Sequence, residues 1–246
     1  MKFGVRALVA AAGATLALLT GVSTASARIV VPDGGLVIVG GSLADAIREM
    51  DVAYAAGAPW VSISTSWEAL EPEPDAYRTG GAGSAAWDLL QAKLAYAASK
   101  GLRVELRLGN SPSWASGVSG RFNDPPTPAN RPAYGEFLHD LAARLGPYID
   151  AYSPWNEPNI GYFWSPVDAS AYAALQRVAY TAIKQVDPSA VVLLGPLAGS
   201  STRAYDYLAD AYAAGLRGYV DAIGWNIYPL GPPEQAYGDG QGRPAT

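Results

Sequence analysis

"IDAYSPWNEPNIGYFW", residues 149 to 164, runs from a short β-type segment directly into a carboxylate flanked by asparagine and proline, with aromatic rings crowded after it. If residues 149 to 155 form a strand, Glu157 stands just past its C-terminal end, where a loop decides what it meets. The fold is read from what lies on either side of this stretch.

Short β-type runs alternate with longer amphipathic, alanine-rich segments along the whole chain. "GLVIVG" (35–40) is followed by "LADAIREMDVAYAAG", and "WVSIS" (60–64) by "AAWDLLQAKLAYAASKG". "RVELRLG" (103–109) is followed by "PAYGEFLHDLAARLG", and the opening stretch by "DASAYAALQRVAYTAIKQVD". "AVVLLG" (190–195) leads to "RAYDYLADAYAAGL", and "VDAIGWNIY" (220–228) is the sixth strand. Strands alternating with helical patterns of about 10 to 20 residues predict βαβ units on a parallel sheet. Gly57, Gly101, Gly146 and Gly215 stand at the expected helix stops. The units recur every ~30 to 40 residues without repeating in sequence, which argues against a solenoid. No GxGxxG or phosphate loop follows the first strand, so a nucleotide site is not indicated.

The predicted fold class is α/β, a (β/α)8 TIM barrel in incomplete form, with six βα units present and strands seven and eight missing. In "VELRLG", Val104, Leu106 and Leu108 alternate with Glu105 and Arg107. The apolar set can face the helices while the charged pair points into the barrel. Arg107, near the C-terminal end of its strand, has two readings: a buried structural ion pair, or a direct part in the site.

Composition narrows the chemistry. The chain has 246 residues, 50% hydrophobic and 16% charged, with a formal net charge of −5. That supports a sizeable core rather than a disordered segment. An acidic balance without a basic cluster argues against nucleic acid and anionic membrane surfaces as partners. With no cysteine, neither disulfides nor a thiolate metal site can form. The one histidine, His139, excludes a multi-histidine metal site and has no expected role. No cofactor and no obligate protein partner are expected, and the chemistry falls to carboxylates. At the N-terminus, Lys2 and Arg6 precede the apolar run "ALVAAAGATLALL" (7–19), and "ASA" (25–27) follows. Residues 1–27 therefore read as a general export signal cleaved after Ala27, with the secreted catalytic barrel over 28–246. A membrane anchor is the alternative, but the run is short for a span of about 20 residues.

"WNEP" at the end of the fourth strand resembles the retaining glycoside hydrolases of the large (β/α)-barrel clan that includes cellulases, β-xylosidases and β-mannanases. "SWEALEPEPDAYR" is similar to that clan's loop after strand two, with Asp75 where glycine is usual. "NSPSWAS" and "NIGYFWSP" resemble its segments after strands three and four. The likeness extends over most of residues 35 to 230. It implies that Glu157 is the general acid/base, protonating the departing glycosidic oxygen and then deprotonating the water that releases the sugar. That work requires a carboxylic acid kept protonated near neutral pH by partial burial and a second carboxylate nearby. Pro158 would stiffen the turn that aims Glu157, and the resemblance gives Asn156 a hydrogen bond to the 2-hydroxyl of the cleaved sugar. Asn226 stands in a histidine position of the clan, and Tyr228 in that of a tyrosine that hydrogen-bonds the nucleophile. Both are expected around the sugar.

Trp67, Trp114, Tyr162, Phe163 and Trp164 fall in the loops after strands two, three and four. Flat rings bury the apolar faces of a pyranose at low entropic cost, so Trp67, Trp114 and Trp164, together with Arg107, are candidate substrate contacts. Ordinary loop packing is the alternative for each ring.

A retaining enzyme needs two carboxylates about 5 Å apart. In the clan this resembles, the second closes strand seven, so with ~60 residues of barrel absent the nucleophile is expected roughly 30 to 60 residues beyond residue 246. Glu234 has nothing to order it; Glu68, Glu71 and Glu73 read as solvated or rim groups, and Glu105 as occupied by Arg107. The 246-residue chain alone is therefore expected to be inactive. The competing reading is a secreted carbohydrate-binding protein on a glycosidase scaffold that has lost catalysis. A barrel lyase or aldolase fits less well, because no strand carries a lysine and no metal-ligand cluster is present.

Overall fold

A computed structural model of the chain describes residues 36–38, 41–118, 121, 123–199 and 203–226. The expected signal segment 1–27, and also Tyr228 and Glu234, lie outside the described residues.

Six strands pair side by side, all parallel, in sequence order. They are β1 (Leu36–Ile38), β2 (Trp60–Ser64), β3 (Arg103–Arg107), β4 (Ala151–Ser153), β5 (Val191–Ala198) and β6 (Ala222–Asn226). The connecting helices are α1 (Leu43–Ala55), α3 (Ser84–Ser99), α5 (Arg131–Leu145), α6 (Ala169–Val186) and α7 (Ala204–Ala211), the last running into a π turn at Tyr212–Leu216. Two one-turn helices, α2 (Trp67–Leu70) and α4 (Ser113–Ser116), sit in the loops after β2 and β3 and leave no periodicity in the sequence. This is the predicted α/β architecture: among the described residues, five consecutive βα units and a sixth strand of an incomplete (β/α)8 barrel.

Local chemistry starts and stops the helices where the pattern requires. Ser42 caps α1 by accepting from the Asp45 N–H at 3.1 Å, and Asp168 caps α6 by accepting from Ser170 and Ala171. Gly57 and Gly101 follow α1 and α3 in the left-handed conformation, as helix stops commonly do. Gly146 differs: it stays right-handed and opens a short 3-10 turn after α5.

The sheet has two faces. Outward, Val104, Leu106 and Leu108 pack in the main core with Leu138, Leu141 and Phe137 of α5. Inward, Trp60, Ala151 and Leu193 form a separate apolar layer, with the Arg103 guanidinium 4.0 Å over the Trp60 ring. Glu105 shares the register of Ser62 and Ala151, and Arg107 that of Ser64 and Ser153, so a polar layer lies above the apolar one. Among the described residues, no helix is long and apolar enough to cross a membrane.

The decisive feature is a mismatch in length. β4 pairs with β5 only at Ala151–Val191 and Tyr152–Val192, while β5 continues to Ala198. The chain after β4 lies against that overhang so closely that a Cβ on Gly195 would stand 1.9 Å from the Trp155 carbonyl oxygen. Backbone cannot swing aside as a side chain does. Gly195→Ala is therefore expected to destabilise the fold by about 3 kcal/mol, the upper end of what overpacking costs. Urea denaturation of the variant against the parent chain measures it.

Candidate active site

The segment from Trp155 to Asn159 is fastened to the overhanging half of β5. Pro196 has no N–H to offer, but its carbonyl accepts from the Glu157 N–H at 2.9 Å. Asn159 then behaves as a surrogate strand: its Oδ1 accepts from Ala198 N–H at 2.9 Å and its Nδ2 donates to the Ala198 carbonyl at 3.2 Å. Behind this edge, the Tyr172 hydroxyl of α6 accepts from Gly195 N–H and donates to Gln176 Oε1. Glu157 takes a φ of 42°, a left-handed conformation that costs a non-glycine residue about 1 kcal/mol or more and persists only where its surroundings impose it.

Glu157 is buried, 4% exposed. Its Oε1 accepts from Asn226 Nδ2 at 2.7 Å, so the acid is held by β5 through its backbone and by β6 through its side chain. Next to it, the Asn156 Oδ1 is buried with no hydrogen-bond partner among the described residues, an acceptor left over for a donor from outside. On the neighbouring strand Arg107 Nη2 donates to Glu105 Oε2 at 3.0 Å, and Ser153 Oγ donates to Glu105 Oε1 at 2.6 Å. The structural reading of Arg107 is thus met by an inward, largely buried ion pair.

The aromatic expectations need correction. Trp67 is fully buried: its ring lies against Trp114, Tyr134 and Phe137, and its Nε1 donates to Glu71 Oε2 at 2.6 Å. Trp164 is likewise buried, wedged between Trp155 and Tyr172. Neither ring has a face to offer a sugar. Trp114 is half-buried, its Nε1 bonded to the Glu71 carbonyl. Tyr162 is exposed and meets Phe163 edge-on at 4.8 Å between centroids. His139 lies exposed on α5 beside Asp140, apart from these groups.

Glu71 also departs from its reading as a rim group. It is 5% exposed, and its carboxylate accepts from Trp67 Nε1 and from Asp75 N–H at 2.9 Å, tying the β2 loop together. Burial outweighs these bonds and holds its pKa above the ordinary carboxyl value. Asp75, in the position where the resemblance has glycine, adopts the left-handed conformation a glycine would supply, at φ 59°. Asn159 and Gly195 were missed because their roles depend on contacts remote in sequence, and Glu71 because its burial is tertiary although its carboxylate partners Trp67 and Asp75 stand only four residues away. Among the described residues, no group of three or more acidic or histidine side chains could hold a metal ion.

No family model and no curated protein sequence match this chain. Its fold, however, is similar to those of solved glycoside hydrolases of the TIM-barrel type. A family 39 glycoside hydrolase from Bacteroides cellulosilyticus WH2 superposes with a TM-score of 0.59 at 18% identity, over 77% of this chain and 36% of that one. A hyperthermophilic β-glucosidase mutant gives 0.56 at 16% identity, over 73% and 55%. The β-glycosidase BGL167 gives 0.51 at 18% identity, over 69% and 50%. The chain thus spans roughly a third to just over half of the length of these structures. The likeness extends to the fold, an incomplete (β/α)8 barrel.

Glu71→Gln keeps the shape of the side chain but leaves one of its two buried donors facing an amide N–H. A loss of about 1–3 kcal/mol in denaturant stability is expected. The wild-type carboxyl binds its proton more tightly folded than unfolded, so its contribution is greatest at acid pH and falls as pH rises through the raised folded value. That pH-dependent component is absent from the variant.

Proposed function

We propose that this chain belongs to a secreted glycosidase that hydrolyses O-glycosidic bonds of β-linked poly- or oligosaccharides with retention of configuration. The observation that carries the reading is a buried carboxyl at the C-terminal end of the fourth parallel strand, clamped to β5 by its backbone and to β6 by Asn226. Active sites of TIM barrels are built at this end of the strands.

Glu157 acts first as general acid toward the leaving oxygen and then as general base toward water. Asn156, whose buried Oδ1 has no partner among the described residues, accepts from a sugar hydroxyl beside the reacting carbon. Arg107 flanks the site from β3 while neutralising Glu105. Trp114 and the exposed Tyr162 remain the rings with surface to offer the sugar. Tyr228 is assigned a hydrogen bond to the nucleophile on resemblance alone. The nucleophile itself is a glutamate on a strand beyond residue 246, and residues 1–27 serve as the export signal.

Burial of Trp67 and Trp164 also bears on the alternative of a binding protein without catalysis, since it removes two of the expected stacking platforms. Hydrolysis discriminates between the two. In the gene product that supplies the later strands, Glu157→Gln should lower kcat/KM on β-glycosides with poor leaving groups by about 100- to 10,000-fold. Residues 28–246 alone should show no turnover. Binding of oligosaccharide without any Glu157-dependent hydrolysis in the longer product would overturn the enzymatic reading. Export is checked by mass spectrometry of the protein recovered outside cells, expected to begin at Arg28.

A further inference from the structure

We infer that Asn226 is a positioning residue that decides which oxygen of Glu157 carries the transferable proton. The inference rests on the acid/base reading above and adds to it a role for the β6 amide other than sugar contact. Asn226 Nδ2 lies 2.7 Å from Glu157 Oε1. Both residues are referenced to the same strand: Asn226 pairs in register with Ala198 and its carbonyl accepts from Gly199 N–H, while the Glu157 N–H is held by Pro196. The ladder between β5 and β6 shifts between Leu194 and Leu197, and a Cβ on Gly224 would meet Pro196 Cα at 2.8 Å. The two strands are thus pressed together at the level of the acid, which leaves the amide and the carboxyl little freedom to separate.

The carbonyl oxygen of a carboxylic acid accepts a hydrogen bond better than its hydroxyl oxygen, so an amide N–H aimed at Oε1 favours the tautomer with the proton on the other oxygen. The transferable proton is therefore placed on Oε2. In the first half-reaction the O–H bond at Oε2 breaks and its electron pair stays on the carboxylate. The proton passes to the glycosidic oxygen, which keeps the electron pair of the C–O bond broken as the second carboxylate bonds to the sugar carbon. The amide then donates to a charged acceptor, a stronger bond than the one it began with. In the second half-reaction a water gives its proton back to Oε2 while its oxygen takes the sugar carbon from the nucleophile. An amide performs this role in a single protonation state, which a histidine does not. β5 and β6 carry no titratable side chain, and on β3 the charges of Arg107 and Glu105 are paired with each other.

The pairing is tested without substrate, by 15N-edited NMR of the full chain labelled at asparagine. One Asn226 Nδ2 proton should lie downfield of its geminal partner and move with pH in a one-proton transition that Glu157→Gln abolishes. Identical Asn226 resonances in the two proteins at every pH would overturn the inference. The proton-placing role is tested in the longer product with Asn226→Asp, which keeps the shape but replaces the donor with an acceptor. Turnover of glycosides with poor leaving groups should fall about 10- to 100-fold with KM little changed. On activated aryl glycosides, which leave without protonation, kcat/KM should fall clearly less than on poor leaving groups. Equal losses on both substrate types, or a change confined to KM, would overturn the proton-placing role. Absence of all turnover would instead count against the glycosidase reading, while the NMR signature still decides the pairing.

Discussion

The overhang of β5 beyond β4 is the constraint on which the site depends. A parallel sheet normally satisfies each strand edge with its neighbour, but here β4 is three residues long and β5 eight. Buried backbone groups must find partners elsewhere. The Pro196 carbonyl, both backbone groups of Ala198 and the Gly195 N–H find them in Glu157, Asn159 and Tyr172. The segment that carries the acid is thus held as if it were a further piece of strand, and Gly195 is the position that lets it approach. Positive φ at Glu157 is the local expense of that arrangement.

The barrel interior supplies the second element of order. An apolar floor of Trp60, Ala151 and Leu193 underlies a polar layer in which Glu105 accepts from both Arg107 and Ser153. Because the pair is largely out of water, its value lies less in net stability than in geometry. Removing one member would strand the other's charge at a cost of about 3–5 kcal/mol. Arg107 is therefore fixed in direction.

Aromatic side chains show how far composition misleads near a loop. Seven tryptophans in one chain invite a carbohydrate reading, yet Trp67, Trp87, Trp155 and Trp164 are all fully buried. They fill the wide space where the mouth-side loops fold back onto α3, α5 and α6, a space that large rings fill with the fewest residues. Buried indole N–H groups then need acceptors, and Glu71 Oε2, the Leu70 carbonyl and the Phe163 carbonyl serve Trp67, Trp87 and Trp155. Packing of this kind rigidifies the loops. It is a condition for a preorganised site rather than a part of recognition.

The alternation of short β runs with amphipathic helices, the inward pairing of Glu105 with Arg107, and the location of Glu157 just past the fourth strand were all determined by residues close together in the chain. Period and punctuation are local properties, so the sequence by itself determined them. Tertiary structure alone decided the rest. Asn226 reaches Glu157 across 69 positions because a register shift between β5 and β6 brings them level. Asn159 replaces a strand because β4 ends early, and Trp67 and Trp164 vanish from the surface because remote helices cover them. Each of these outcomes depends on distances between elements, which no periodicity encodes: they are set when the layers pack and most buried polar groups find partners.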